Sequence, residues 1–422
     1  MIEHLLGKVH CGDNLAELKK LPDNCVDSVV TDPPYGLQFM GKHWDYDVPK
    51  VETWREVLRV LKPGGYLLSF FGTRTYHRGV IAIEDAGFEI RDQIGWCYGS
   101  GFPKSHNISK AIDKQAGAER KPVLDAEGNQ TWTSQKQGKK SMFDSGKERP
   151  ATYPATYWQG WGTALKPAWE PICVARKPAS EDTIAANVVK WGTGGINIDG
   201  CRVGTDEICA HGGNSAGSEI CGEGKGIPPV KYGSNPHTGR WPANLIHDGS
   251  PEVLQAFPNA PGQQFATGPQ YGVKDSVNAY GDYKERGEFV PRGDSGSAAR
   301  FFYTAKASKW DRNENLDSMP SVKTNYAEGT GLHSNGDGTP RNQTASAKNF
   351  HPTVKPTDLM QYLCRLVTPP NGIILDPYSG SGSTGKGALL ECFRFIGYER
   401  EAEYCKIANA RIAQIKGQLK LF

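Results

Sequence analysis

The feature that most constrains the fold is a glycine-rich segment near the end of the 422-residue chain. Residues 373–385 read IILDPYSGSGSTG, an apolar run followed by a G-x-G-x-x-G pattern. The apolar run predicts a buried strand, and the glycines predict a tight turn that begins a helix. Glu399 follows at the predicted end of the next strand. This arrangement is typical of α/β folds that bind a nucleoside cofactor on a parallel sheet.

The residue types around this turn indicate which cofactor it binds. Asp376 stands directly before the glycines, and its carboxylate would repel the pyrophosphate that a dinucleotide brings to such a turn. S-adenosylmethionine instead carries an ammonium and a sulfonium group, which a carboxylate attracts. We therefore expect S-adenosylmethionine, while a dinucleotide and a turn that merely closes a βα unit remain alternatives. The expected contacts are Asp376, Pro377, Tyr378, Gly380, Gly382, Thr384 and Glu399.

A second motif, Asp32-Pro33-Pro34-Tyr35, follows a predicted strand at 26–30. It therefore lies at the carboxyl end of a strand, where open α/β sheets bind their ligands. The Asp32 carboxylate and the Pro33 carbonyl can each accept a hydrogen bond from one amino group, and Tyr35 offers a flat face for stacking. The alternative is that Asp-Pro-Pro forms an ordinary turn and the tyrosine simply packs.

These four residues suit the methylation of an exocyclic amine on a nucleobase. The lone pair of such an amine is delocalised into the ring, so the amine is a poor nucleophile. Two acceptors, one for each amino hydrogen, draw the nitrogen towards tetrahedral geometry and free the lone pair for attack on a methyl group. A base must leave the duplex to reach them. The expected catalytic residues are Asp32, which also borders the cofactor, Pro33, Pro34 and Tyr35.

Together, the tetrad and the glycine turn resemble the amino-methyltransferases of DNA whose signature is (D/N/S)PPY, particularly the phage and prophage members. The order of the motifs, with the tetrad first, is similar to the permuted β group of this family. The resemblance implies a Rossmann-like, S-adenosylmethionine-dependent methyltransferase α/β fold. In that fold a mostly parallel seven-stranded sheet carries a β-hairpin and an inserted, irregular target-recognition domain. The resemblance covers both ends of the chain but not the middle.

Two further segments resemble parts of this family. Residues 351–356, HPTVKP, are similar to the segment beside the methionine end of the cofactor, which implies that Lys355 neutralises the cofactor carboxylate. Cys11-Gly12-Asp13 resembles the element that contacts the adenine of the cofactor, which implies that role for Asp13. Without the resemblance, Asp13 is better explained as the N-cap of a helix at 14–20, and Lys355 as a solvated lysine.

The pattern of apolar residues predicts three parts of the chain. Residues 1–176 form one half of the methyltransferase domain with a basic hairpin insertion at about 100–165, 177–349 form the target-recognition domain, and 350–422 form the half that binds S-adenosylmethionine. A strand at 171–176 is expected to pair antiparallel with one at 89–98. The other expected elements are strands at 8–11, 26–31, 65–71, 372–375 and 395–398 and helices at 54–61, 358–367 and 404–419.

Basic residues interleaved with aromatic ones are typical of a nucleic-acid surface, and two such clusters lie in the middle of the chain. One falls in the predicted hairpin insertion, and the other surrounds the aromatic run at 301–303. A run of charges is usually just a solvated face, which remains the alternative. The expected contacts with double-stranded DNA are Lys136, Lys139, Lys140, Lys306 and Lys309.

The expected function is methylation of adenine N6 at specific sites in duplex DNA, as in restriction–modification. In this family, Asp in the first position of the tetrad usually accompanies specificity for adenine. Cytosine N4 is the alternative within the same chemistry. A methyltransferase acting on RNA or protein is a further alternative, although those relatives usually place the glycine turn before the tetrad. The alternatives from other classes are an inactive DNA-binding module and an NAD-dependent oxidoreductase.

Composition sets the remaining expectations. The net charge of +3 means that any DNA surface is a local patch. No apolar run is long enough to cross a bilayer and the first residues do not resemble a signal peptide, so a cytoplasmic, nucleoid-associated protein of a bacterium or phage-infected cell is expected. The oligomeric state is a monomer or a homodimer. No metal is expected, because the spacing of Cys201, Cys209, His211 and Cys221 fits no common zinc site.

Overall fold

The computed structural model describes residues 2–37, 45–101, 105–122, 148–208, 237–261, 276–278, 281–283, 295–305, 309–314, 316–317, 319–324 and 345–419. The strands are β1 (Lys8–Cys11), β2 (Val26–Thr31), β3 (Leu61–Phe70), β4 (Glu89–Cys97), β5 (Lys121–Pro122), β6 (Glu148–Arg149), β7 (Trp169–Arg176), β8 (Val203–Ile208), β9 (His237–Arg240), β10 (Leu245–His247), β11 (Ser276–Asn278), β12 (Gly281–Tyr283), β13 (Tyr303–Thr304), β14 (Val322–Thr324), β15 (Ala345–Ala347), β16 (Ile373–Asp376) and β17 (Arg394–Glu399).

The described helices of ten or more residues lie towards the two ends of the chain, where the apolar pattern is strongest. In chain order, all the described helices are α1 (Asn14–Leu18), α2 (Val51–Val60), α3 (Tyr76–Asp85), α4 (Ile108–Gln115), α5 (Tyr153–Tyr157), α6 (Ile184–Trp191), α7 (Pro251–Ala256), α8 (Lys309–Asn313), α9 (Thr357–Val367), α10 (Ser383–Leu390) and α11 (Ala402–Leu419).

Within the described residues, nine strands form one sheet in the order β1-β17-β16-β2-β3-β7-β4-β10-β13. Strand β7 runs antiparallel to both β3 and β4, and the other neighbouring pairs are parallel. The predicted α/β fold is therefore confirmed, including the antiparallel pairing of 89–98 with 171–176. The first seven strands of the order correspond to the expected seven-stranded sheet. Strands β10 and β13 add two more, and both come from the segment 177–349.

Two apolar layers cover the two faces of this sheet. On one face α9, α10 and α11 bury residues such as Leu363, Ala388 and Ile412 against alternate residues of the strands. On the other face α2 and α3 bury residues such as Trp54 and Ile83. Neighbouring residues of one strand enter opposite layers, as period-2 side-chain alternation requires. Because helices cover both faces of the sheet in the described part of the chain, the ends of the strands are the places where a ligand can reach it.

The segment Lys62-Pro63-Gly64-Gly65 differs from its prediction. We expected these residues to separate a helix from a strand beginning at Gly65, but α2 passes directly into β3, which begins at Leu61. The pairing of β2 with β3 shifts register in this region, between Val26 and Ser28. Gly64 has φ +78°, and a Cβ there would lie 2.4 Å from the Asn187 side-chain nitrogen. The glycine allows a bend within a strand where the sequence pattern alone indicates a break.

The chain divides into two compact units, residues 100–168 and the remainder. The smaller unit contains α4, α5 and the paired strands β5 and β6. Its buried Asp113 accepts hydrogen bonds from the Arg120 side chain (2.7 Å) and from the backbone N–H groups of Ala151 and Thr152 (both 3.0 Å). This satisfied buried carboxylate joins α4 to the residues directly before α5.

Candidate active site

The glycine turn and the Asp-Pro-Pro-Tyr tetrad line one cleft. Strands β16 and β2 are adjacent and parallel, so their carboxyl ends reach the same edge of the sheet. A direct contact joins the two motifs there, because the Thr31 hydroxyl donates a 2.6 Å hydrogen bond to the Asp376 carboxylate. Open α/β sheets bind ligands at this edge, beside the point where the strand order reverses. The folded chain therefore places Asp32 and Gly380 in a shared cleft.

The glycines of the turn are required by their surroundings. Gly380 has φ +49°, and a Cβ there would lie 2.8 Å from the His351 ring. Gly382 has φ +77°, and a Cβ there would meet the Ala408 side chain at 2.9 Å. Left-handed φ values disfavour other residues, and each contact is too short for a carbon atom. The turn therefore brings bare backbone to the cleft, at the start of α10.

A buried carboxylate, Asp376, and a half-buried one, Glu399, flank the turn. Burial raises the pKa of Asp376 to about 6, against hydrogen bonds from Thr31 and Thr384 that lower it. Burial likewise raises the pKa of Glu399 to about 7, although the backbone N–H groups of Gly380 and Glu401 each donate to it at 2.8 Å. Both carboxylates cost free energy to ionise in the free protein. A ligand that brings positive charge or hydroxyl donors would offset that cost.

The start of α1 forms another wall of the cleft. Asp13 caps this helix by accepting a 3.0 Å hydrogen bond from the Ala16 backbone, and it also lines the cleft. Asn14 donates a 3.1 Å hydrogen bond to the carbonyl of Pro377. Tyr378 lines the cleft as well, with its ring centroid 6.4 Å from that of Trp54. The capping role inferred from the residue pattern is therefore observed for Asp13, and its role as a ligand contact stays a prediction.

The backbone of the tetrad is fixed by residues outside it. The Asp45 carboxylate accepts hydrogen bonds from the backbone N–H groups of Tyr35 (2.7 Å) and Gly36 (2.9 Å). The Thr75 hydroxyl donates a 2.6 Å hydrogen bond to the Tyr35 carbonyl. These bonds hold the backbone of the turn after β2 in place from within the protein. Asp45 is a positioning residue that the sequence analysis missed.

The side chains of the tetrad belong to a four-member network. The Tyr35 hydroxyl donates to Asp32 at 2.7 Å, and the Lys355 ammonium donates to the other Asp32 oxygen at 2.6 Å. Glu170, at the start of β7, lies 3.1 Å from the same hydroxyl and 3.2 Å from the same ammonium. Two carboxylates therefore share one ammonium group and one phenol.

Charge and burial set the protonation of this network. Burial raises the pKa of Asp32, and the positive charge of Lys355 opposes that rise. Burial lowers the pKa of Lys355, but the carboxylates of Asp32 and Glu170 outweigh it, so the net shift is upward. Burial and the same carboxylates raise the pKa of Tyr35 well above its ordinary value. At neutral pH the lysine is charged and the phenol keeps its proton.

Residues 351–356 approach the glycine turn, as the resemblance implies, but with a different partner for the lysine. The Lys355 ammonium is paired with Asp32 and Glu170. Its expected role towards a cofactor carboxylate stays a prediction. His351 packs edge-on to Tyr404 at 4.5 Å, and burial together with the charges of Lys355 and Arg312 lowers its pKa to about 3. The imidazole is therefore neutral and serves as a wall of the cleft.

Some of the other predicted site residues line the cleft, and others lie outside it. The cleft is lined by Pro33, Pro34, Ser379 and Thr384 in addition to the residues above. Gly382 faces α11 at the base of the turn. Lys309 belongs to α8. The remaining predicted DNA contacts, Lys136, Lys139, Lys140 and Lys306, and three residues of the candidate zinc set, Cys209, His211 and Cys221, fall outside the described residues.

The described residues contain neither a cluster of metal ligands nor a membrane-spanning helix. No group of three or more His, Cys, Asp or Glu side chains in those ranges is arranged to hold a metal ion. No helix in the same ranges combines the length and apolar character needed to span a bilayer.

The sheet order and the site together define a class of protein. The described residues have an α/β fold with a single antiparallel strand within the main sheet, and the cleft joins a glycine turn to an Asp-Pro-Pro-Tyr tetrad. This is the α/β fold of Rossmann-like methyltransferases. The chain belongs to the DNA methylase family of N6 and N4 amino-methyltransferases, whose family model matches residues 26–410.

Individual relatives match shorter parts of this chain than the family model does. The Type II methyltransferase M.HindIII of Haemophilus influenzae is 24% identical over 232 residues, which cover 45% of this chain and 64% of the relative. The putative methylase YubD of Escherichia coli K12 is 41% identical over 71 residues, 17% of this chain and 31% of the relative. The Type II methyltransferase M.HinfI of H. influenzae is 35% identical over 79 residues, 19% and 22% of the two chains. The matches thus span less than two thirds of each relative.

Solved structures are similar over most of the chain at low identity. The cytosine-N4-specific PvuII DNA methyltransferase has a TM-score of 0.41 at 14% identity, covering 97% of this chain and 91% of its own. The M1.HpyAVI complex with SAM has a TM-score of 0.38 at 14% identity, covering 96% and 98%.

Proposed function

We propose that this protein is a DNA methyltransferase that transfers a methyl group from S-adenosylmethionine to the N6 amino group of an adenine flipped out of duplex DNA. The observation that carries the proposal is the shared cleft of Asp32 and the glycine turn, on adjacent parallel strands. Membership of the DNA methylase family supports DNA as the substrate.

The charge of the cleft supports S-adenosylmethionine as the cofactor. Among the described residues, six carboxylates line the cleft against two side-chain cations, Lys355 and Arg400. Such a cleft suits a ligand with an ammonium and a sulfonium group better than one with a pyrophosphate. Glu399 would receive the ribose hydroxyls, and Asp13 and Asp376 would border the nucleoside and the methionine. When bound, S-adenosylmethionine supplies a methyl group on a positively charged sulfur atom.

The tetrad prepares the amine for attack on that methyl group. One amino hydrogen is donated to the Asp32 carboxylate and the other to the Pro33 carbonyl, which favours tetrahedral geometry at the nitrogen. Tyr35 holds the base by stacking on its ring. The amine must lose one proton when its new N–C bond forms. Asp32, which accepts one of the amino hydrogens, can take that proton, because burial makes its carboxylate a better proton acceptor than an exposed aspartate.

The identity of the modified base can be determined directly. Duplex DNA of mixed sequence would be incubated with the protein and S-adenosylmethionine carrying a deuterated methyl group, then digested to nucleosides and analysed by mass spectrometry. We expect labelled N6-methyladenine. Labelled N4-methylcytosine would keep the mechanism but change the base. Binding of NAD rather than S-adenosylmethionine in isothermal titration would favour an oxidoreductase, and binding of DNA without any labelled product would favour an inactive DNA-binding module.

We also propose that residues 177–349 select the target sequence and that the insertion at about 100–165 contacts DNA phosphates. Residues 100–168 contain eleven Lys and Arg against six Asp and Glu, an excess larger than the +3 of the whole chain, which supports a local basic surface. Exchange of 177–349 with the equivalent segment of a relative should change the methylated sequence. An unchanged sequence would refute that assignment. We further propose action as a monomer or homodimer in the cytoplasm, within a restriction–modification system.

A further inference from the structure

The proposed mechanism needs Asp32 as a strong hydrogen-bond acceptor, and in the free protein two donors already weaken it. The Asp32 carboxylate must accept an amino hydrogen of the base, yet both of its oxygens already have donors. The Tyr35 hydroxyl occupies one at 2.7 Å, and the Lys355 ammonium occupies the other at 2.6 Å. Each carboxylate oxygen has a second lone pair, but the two donors already draw on its charge, so Asp32 becomes a stronger acceptor for the amine when one of them transfers to another group. A buried hydroxyl that leaves its acceptor needs another one within reach.

Glu170 offers that second acceptor to both donors. Its Oε2 atom lies 3.1 Å from the Tyr35 hydroxyl and 3.2 Å from the Lys355 ammonium. A phenol has one proton, so Tyr35 can donate to Asp32 or to Glu170 but not fully to both. The ammonium has three protons and can keep contact with both carboxylates. A small rotation of the tyrosine hydroxyl is enough to move its hydrogen bond from one to the other.

Glu170 is also held in place from its other side. Tyr98 forms a side-chain hydrogen bond with it, and β7 is antiparallel to both β3 and β4, which fixes the strand on which it stands. The carboxylate therefore has a defined position beside the tetrad. It lies outside the group of residues that line the cleft, so it does not compete with Asp32 for the base.

We propose that Glu170 is a positioning residue that takes over the Tyr35 hydrogen bond and shares the Lys355 charge when the base arrives. Asp32 thereby becomes a stronger acceptor for the amino hydrogen, while the tyrosine ring keeps its orientation for stacking. Glu170 touches neither the base nor the methyl donor, and it acts only through Tyr35 and Lys355. This role rests on the proposed methyl transfer.

The first test compares substitutions at Glu170 under saturating DNA and S-adenosylmethionine. Glu170→Ala should lower kcat by about 10- to 100-fold, the usual range for a buried hydrogen bond that is lost only in the reacting complex. Glu170→Gln keeps an acceptor oxygen for Tyr35 but removes the charge, so it should retain more of the activity. Affinity for S-adenosylmethionine and the thermal unfolding midpoint should change little. Glu89→Gln, which removes a carboxylate paired with Arg176 at the other end of β7, is the matched control and should leave kcat unchanged.

A second variant separates positioning from general damage. In a Tyr35→Phe background the phenol is absent, so most of the effect of Glu170→Ala on kcat should disappear. A purely structural role of Glu170 would lower kcat by the same factor in both backgrounds. That result would overturn the proposal.

The pH profile gives an independent measurement. The groups that face Asp32 are Tyr35, Lys355, Glu170 and, across the cleft, Asp376. The negative charge of Glu170 raises the pKa of Asp32, so Glu170→Gln should move the acid limb of kcat to lower pH. An acid limb of kcat that stays in place or moves to higher pH in Glu170→Gln would contradict the role assigned to Glu170. Wild-type protein that binds DNA and S-adenosylmethionine but transfers no methyl group would instead overturn the proposed function itself.

Discussion

At the scale of single residues, the cleft combines buried carboxylates with a rigid tetrad. Asp376 and Glu399 have pKa values raised by burial to about 6 and about 7, so both are partly protonated near neutral pH in the free protein. A cationic ligand favours their ionised forms. Binding of S-adenosylmethionine should therefore release protons in the pH range between these two values.

This linkage predicts that affinity for S-adenosylmethionine rises with pH. Between pH 6 and pH 7.5 the dissociation constant should fall by about three- to tenfold, because less work is needed to remove the protons. Isothermal titration in two buffers of different ionisation enthalpy measures both the affinity and the protons released. Glu399→Gln should remove most of the dependence above pH 6.5. An affinity that is flat or falls over this range would contradict the assignment of these carboxylates.

The raised pKa values of Asp376 and Glu399 also determine how the stability of the free protein changes with pH. A carboxyl group whose pKa is raised on folding adds stability at low pH, and that contribution is lost as the pH rises through its folded value. For Asp376 and Glu399 the loss falls between about pH 4 and pH 7. Stabilisation by S-adenosylmethionine should grow over the same range. Thermal unfolding with and without the cofactor measures both trends.

The residue types at the site were predictable to different degrees. Asp32, Tyr35, Asp376 and Glu399 were found because each stands at the end of an apolar strand, where the sequence pattern fixes both the strand and its polar neighbour. Glu170 had no such signal. It contacts Tyr35 from 135 positions away, through antiparallel pairing that the local sequence does not specify.

At the scale of elements, the glycine turn can be tested against a matched glycine elsewhere. Gly382 and Gly192 have nearly the same φ, +77° and +76°, but a Cβ would meet Ala408 at 2.9 Å at the first position and nothing within 4 Å at the second. Gly192→Ala should therefore cost about 1 kcal/mol of unfolding free energy, from backbone strain alone. Gly382→Ala should cost more and should also weaken binding of S-adenosylmethionine.

Chemical denaturation and cofactor titration of the two variants provide the comparison. Equal losses of stability, with cofactor affinity unchanged in both, would show that close packing of the turn on α11 is unimportant. The result expected here is a loss of affinity confined to Gly382→Ala.

Elements with strong apolar periodicity were predicted closely. Helix α9 begins one residue before its predicted start, and α11 begins two residues before. Strands β10 and β13, of three and two residues, were not predicted. Such short segments have no pattern of their own, and their pairing with β4 and with each other defines them.

At the scale of the whole molecule, the proposal assigns DNA binding to positive charge concentrated in one insertion. Replacement of Lys136, Lys139 and Lys140 by Gln should weaken binding to duplex DNA about equally for all sequences. It should also reduce the slope of log affinity against log salt by about 1 for each phosphate contact that is lost. Affinity for S-adenosylmethionine should stay the same, because the cleft lies in the other unit.

A control with the same charge change separates this effect from net charge. Lys8, Lys19 and Lys406 are exposed residues of the larger unit, and their replacement by Gln should leave the salt slope nearly unchanged. An identical loss of DNA affinity in both triple variants would show that the insertion has no special role.

The central claim is that the Asp32 carboxylate accepts a hydrogen bond from the amine of a base while the glycine turn binds the methyl donor. The most direct test is single-turnover methyl transfer by Asp32→Ala compared with wild type, combined with titration of S-adenosylmethionine into both. The account predicts that the variant binds the cofactor with near wild-type affinity but transfers methyl groups slower by about three or more orders of magnitude. Near-normal transfer by Asp32→Ala would contradict the account.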